Sequence, residues 1–243
     1  MTKLKFSFIK LFIFFNIATI WAQQNELGMV VGSGNYVGDI GREQYFYPNK
    51  TGWGIVFKRT INPWFSARLN LNYFQISAKD SEAESAGRRI RNFSSEADIL
   101  NFDVGIEYNF IARNPFLQLQ SIHKITPYFF TGIGLGSYSG KFYQNISNKS
   151  AAYKFNGANL NIPMVLGLKY KVSSHFIIAL ETGAYYYFTD NLDGTSGFYG
   201  NEKKILNDGI IPTTNLHSND WYTFTSVSFI YTFGDLSCFF NLY

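Results

Sequence analysis

Residues Asn101–Phe110 read N-F-D-V-G-I-E-Y-N-F. Odd positions are polar or Gly, and even positions are large and apolar. A period of two belongs to a strand, not to a helix. One face carries Phe102, Val104, Ile106, Tyr108 and Phe110; the other carries Asp103 and Glu107. Two carboxylates are costly in an ordinary core unless paired. The first face is too bulky for ordinary exposure to water. About ten alternating residues, apolar toward lipid and polar toward a lumen, make one strand of a transmembrane β-barrel.

The same period recurs in seven further segments. They are Glu26–Gly38, Gly52–Thr60, Phe65–Ser77, Pro127–Lys141, Leu160–Lys171, Phe176–Thr189 and Trp221–Phe233; the quoted segment extends to Leu100–Ala112. The expected fold is all-β: an eight-stranded antiparallel up-and-down transmembrane β-barrel. Glu26, Lys58, Arg68, Asp103, Glu107, Lys169 and Glu181 fall on inward positions. Eight strands enclose a space that side chains just fill. The expectation is a plugged lumen of paired charges, with Gly132, Gly134 and Gly136 making room for large neighbours. A wide pore is excluded.

Short connections at Ile61-Asn62-Pro63 and Ser173-Ser174 alternate with the long stretches Asp39–Thr51, Ala78–Ile99, Phe142–Asn159 and Asp190–Asp220. Short periplasmic turns and long extracellular loops are the usual arrangement. Arg113–Thr126 is a long connection on the short-turn side, and so a candidate periplasmic contact element.

Residues 1–22 read as a signal peptide: Lys3, Lys5 and Lys10, then an apolar run, then cleavage after Ala22. Residues 23–234 form the outer-membrane barrel, and 235–243 a short periplasmic tail. The whole chain carries 21 Lys+Arg against 17 Asp+Glu, a net charge of +4. Removing three signal lysines leaves 18 against 17, or +1. Charge gives no support to nucleic-acid binding. The chain is 19% aromatic, which suits girdles at the two membrane interfaces. Tyr185-Tyr186-Tyr187-Phe188 reads as part of such a girdle.

Chemistry-bearing motifs are sparse. His123, His175 and His217 lack metal-ligand spacing, and Cys238 is the one cysteine. Gly132-Ile133-Gly134-Leu135-Gly136 lacks the third glycine and the helix of a dinucleotide loop. His217, Ser218 and Asp220 supply the residue types of a hydrolase near strand eight, but loops collect such residues by chance. The four Asn-x-Ser/Thr matches at Asn49, Asn92, Asn145 and Asn148 are read as chance in a chain rich in Asn and Ser. Lys79–Arg91 mixes Asp80, Glu82 and Glu84 with Arg88, Arg89 and Arg91, and reads as a solvated loop or an exposed binding loop. No catalytic, cofactor-binding or metal residue is assigned, and the expected function is non-enzymatic, without cofactor or small-molecule substrate.

Glu26–Gly41, E-L-G-M-V-V-G-S-G-N-Y-V-G-D-I-G, resembles the mature start of PorG-type proteins. Asn219–Gly234, N-D-W-Y-T-F-T-S-V-S-F-I-Y-T-F-G, resembles their last strand. PorG-type proteins are small outer-membrane barrels of the type IX secretion system in Bacteroidetes. The resemblance implies a non-enzymatic barrel that ties the periplasmic PorK/PorN ring to the outer membrane. It also implies service to protein export and, in some species, gliding motility. No site residue comes with it. The rival expectation is a freestanding OmpA/OmpX-like barrel acting in adhesion or envelope stability through its extracellular loops.

Overall fold

The computed structural model describes residues 24–38, 40–42, 44, 50–112, 124–146, 149–189, 192 and 220–234. The signal segment, most of 113–126, His217, Ser218, Cys238 and the tail lie outside the described residues. Eight strands run β1 (Asn25–Val37), β2 (Lys50–Thr60), β3 (Phe65–Lys79), β4 (Phe93–Asn109), β5 (Ile125–Ile146), β6 (Lys149–Lys171), β7 (Phe176–Tyr187) and β8 (Trp221–Phe233). Each pairs antiparallel with its sequence neighbour, and β1 pairs with β8 to close the barrel.

Closure satisfies the strand edges without water, which a membrane demands. Outward positions form an apolar belt. Along β4 it runs from Leu100 through Phe102, Val104 and Ile106 to Phe110 just past the strand's end, all exposed. A tilted strand climbs about 2.5 Å per residue along the barrel axis, so this belt is about 25 Å tall, the height of a lipid-facing band. Trp64, Phe65, Tyr108 and Phe110 cluster at the short-turn rim. Trp53 and Tyr73 pack together toward the long-loop end, as do Tyr186, Phe188 and Trp221. The fold is the expected eight-stranded transmembrane β-barrel.

Three stretches depart from expectation. β4 begins at Phe93, not Leu100, and stops at Asn109. β5 and β6 run to Ile146 and from Lys149, so most of Phe142–Asn159 is a long hairpin and not a loop. Lys79–Arg91 holds a 3-10 turn (Asp80–Glu82) and the short helix α1 (Ala86–Arg91). At 93–99 period two continues but its apolar face turns inward: Phe93, Ala97 and Ile99 are buried while Glu96 and Asp98 are exposed.

Candidate functional site

Two regions concentrate polar chemistry: the lumen and the long-loop rim. In the lumen, all seven expected inward charges are buried. Lys58 on β2 and Arg68 on β3 are register partners, and Gly105 of β4 faces Arg68. A Cβ on Gly105 would meet Thr131 O at 2.2 Å and the Phe130 ring at 2.9 Å, so the glycine lets β4 and β5 and the Phe130 ring pack closely beside Arg68.

Glu107 is the centre of the lower network. Lys58 Nζ lies 2.7 Å from its Oε2, and Arg68 Nη1 lies 3.2 Å from the same oxygen. Lys169 Nζ contacts Oε1 and also donates to Asn109 Oδ1 at 3.0 Å. Arg68 reaches across to Glu181 as well, with Nη2 to Oε2 at 3.0 Å and Nη1 to Oε1 at 2.9 Å. The Tyr128 hydroxyl donates to Glu181. Its ring lies under both lysines, with Lys58 Nζ at 4.9 Å and Lys169 Nζ at 4.7 Å from the centroid. Three cations thus share two carboxylates, the two lysines also lying over the Tyr128 ring and Arg68 over the Phe130 ring. Such a network is tolerable without water because nearly every charge has a partner.

Above it, Asp103 accepts from Tyr185 Oη at 3.0 Å and from Asn101 Nδ2. Asn101 Oδ1 accepts from Tyr187 Oη at 3.0 Å and from Asn161 Nδ2 at 2.6 Å. Tyr185 stacks on Tyr222 with centroids 4.6 Å apart, and Phe74 and Phe224 pack against the pair. This aromatic layer caps the lumen below the loops. Tyr185 and Tyr187 are therefore not girdle residues, contrary to the expectation for this run. Period two sends them inward and sends Tyr186 and Phe188 outward.

Glycine makes the aromatic plug possible. A Cβ on Gly136 would sit 1.9 Å from Tyr187 Oη, and one on Gly167 would sit 2.3 Å from Tyr128 Cζ. The expected role of the strand-five glycines holds at Gly136.

At the rim, Asp80 is fully buried and organises the loops. Its carboxylate accepts from Gly41 N (2.9 Å), Phe93 N (3.1 Å), Arg91 Nε (2.7 Å) and Arg91 Nη2 (3.1 Å). Arg88 donates to the carbonyls of Gly41 (2.9 Å) and Gly38 (3.3 Å). Gly41 itself sits at φ +87°, open to glycine and strained for others. The stretch Lys79–Arg91 is thus half structural clamp and half solvent face, with Glu84, Arg89 and Ile90 exposed. Local sequence could not reveal the clamp, because Gly41 and Asp80 are 39 residues apart.

Of the hydrolase-like trio, only Asp220 is described. It is buried, takes the Tyr36 hydroxyl at 2.7 Å and the Leu192 N–H at 2.8 Å, and is occupied structurally. Among the described residues no group of three His, Cys, Asp or Glu side chains is placed to hold a metal ion.

No curated protein matches the sequence. Solved structures similar in fold include Ail, the attachment invasion locus protein of Yersinia pestis, crystallised with a heparin analogue. Its identity is 12%, over 87% of this chain and 99% of that one, with a TM-score of 0.43. A major outer membrane protein of Thermus thermophilus is 14% identical over 86% and 99%, with a TM-score of 0.49. The outer membrane enzyme PagL is 13% identical over 86% and 99%, with a TM-score of 0.34. Likenesses this distant carry no assignment of activity or ligand. The family model described as "Domain of unknown function (DUF6089)" matches residues 5–241, and the chain belongs to that family.

Proposed function

We propose that this protein is a non-conducting, non-enzymatic outer-membrane subunit of a type IX secretion system, anchoring or assembling the periplasmic PorK/PorN-type ring. The observation that carries the reading is the β1–β8 seam. The two strings that resemble PorG-type proteins lie at opposite ends of the chain, yet they pair residue for residue from Glu26↔Thr232 to Val37↔Trp221. The similarity therefore falls on one continuous two-strand surface, not on two scattered strings. The burial of the Arg68 and Tyr185 layers supports an anchoring role over a conduit.

A partner must then be met at the rims or on the lipid-facing wall. The short-turn rim holds both chain ends of the barrel and the connection between β4 and β5, and it is the periplasmic side in this reading. Affinity purification of the tagged barrel from mildly solubilised envelopes tests the proposal. Ring lipoproteins of the PorK type should co-purify. Their absence, under conditions that preserve the ring itself, would contradict it.

The freestanding adhesion reading keeps one favourable observation: the loop rim is clamped through Asp80 into a defined shape. Under that reading the tagged barrel retains extracellular ligands instead of ring proteins.

A further inference from the structure

A pocket of about 420 Å3 lies on the outer wall of the barrel, where β4, β5 and β6 continue past the apolar belt. Its upper part is lined by Lys141 on β5 and Lys154 on β6, which face one another directly in the register. Like charges directly opposite are unfavourable in a sheet. Both are exposed, and neither ammonium has an ion-pair partner among the described residues. Glu96 faces Lys141 across the β4–β5 register, but both pocket carboxylates have other partners. Asp98 accepts from Tyr73 Oη at 2.8 Å and Gln75 Nε2 at 3.0 Å, and Glu96 lies 3.8 Å from Lys50. Three lysines (Lys50, Lys141 and Lys154) against two carboxylates leave the pocket with a net positive charge, concentrated at the Lys141–Lys154 end.

Height decides what can reach it. Leu100, Leu135 and Leu160 are the last large apolar outward residues on β4, β5 and β6. Asp98 and Glu96 stand two and four residues beyond Leu100; Lys141 and Lys154 each stand six beyond their leucine. At about 2.5 Å per residue, the pocket spans about 5 to 15 Å above the hydrocarbon edge. The headgroup layer of an ordinary phospholipid is only about 5–8 Å deep. A ligand rooted in the membrane that meets both lysines needs a taller, anionic headgroup. Ser139, Asn156 and Tyr143 line the same pocket and supply hydroxyl and amide groups suited to sugar hydroxyls.

We infer that this pocket binds the phosphorylated saccharide headgroup of an outer-leaflet glycolipid. The long-loop end faces outward, as in the functional reading above, but the site is independent of the secretion role. Binding locks a lipid against the β4–β6 wall and fixes the barrel's depth in the leaflet.

The test is native mass spectrometry of the full-length barrel in detergent. It is titrated with short-core lipopolysaccharide, with the same lipid after enzymatic dephosphorylation, and with inorganic phosphate as competitor. The intact lipid should bind at least about tenfold more tightly than the dephosphorylated one, and K141Q/K154Q should lose that preference. E96Q, which removes a competing carboxylate, should bind the intact lipid more tightly than wild type, a gain that misfolding cannot mimic. Equal binding of both lipids, an unaltered K141Q/K154Q, or displacement by millimolar inorganic phosphate would each overturn the inference.

Discussion

The Tyr36 hydroxyl donates to Asp220 Oδ1 across 2.7 Å and 184 residues of sequence. The bond ties the top of β1 to the start of β8 where the barrel closes. Both residues are buried, so removing the donor leaves a carboxylate short of one partner. Y36F should lower unfolding stability by about 1–2 kcal/mol, measured by urea titration of the protein refolded in lipid vesicles. An unchanged midpoint would show that the seam does not depend on this bond.

Glu107 holds three cations with one carboxylate. E107Q keeps the volume but leaves Lys58, Arg68 and Lys169 to share Glu181. Breaking a buried network in this way costs about 3–5 kcal/mol. The exposed pair Lys50–Glu96 offers the control, because E96Q should cost under about 1 kcal/mol. The same urea titration separates the two, and comparable losses would contradict the lumenal assignment.

The lipid belt makes a depth-dependent prediction. Val104 lies near the middle of the apolar run on β4, and Ser139 lies beyond it on β5. V104R should destabilise the membrane-inserted barrel by about 2–4 kcal/mol, and S139R by less than about 1 kcal/mol. Equal effects at the two sites would misplace the membrane.

Asp80 clamps the loop after β1 to the loop after β3. D80A should leave the barrel's strand content unchanged in circular dichroism. It should also expose the Gly38–Arg42 and Ser81–Arg91 segments to limited proteolysis on whole cells. Protection equal to wild type would show that the clamp is redundant.

Much of this arrangement was legible in sequence, because a closed eight-stranded barrel converts period two directly into inside and outside. Arg68, Asn70, Asn72, Asp103, Glu107, Lys169 and Glu181 were placed correctly by alternation alone. Alternation failed where both faces offer the same chemistry. Tyr185, Tyr186, Tyr187 and Phe188 are aromatic on the lumen side and on the lipid side, so composition hid the division between plug and girdle. It failed again at 93–99 and 149–159, beyond the lipid-facing belt; at 93–99 the apolar residues Phe93, Ala97 and Ile99 lie on the inward face, so no outward apolar face marks the strand. The pairing of particular charges, and the roles of Asp80 and Asp220, depend on partners 11 to 184 residues away. No local pattern encodes those distances.

The secretion role is tested most directly by a clean chromosomal deletion. Proteins carrying the type IX C-terminal sorting domain are then quantified in cells and in culture medium, with the gene restored in trans as control. The account predicts that cargo accumulates inside the cell and that complementation releases it. Normal export from the deletion strain would contradict it.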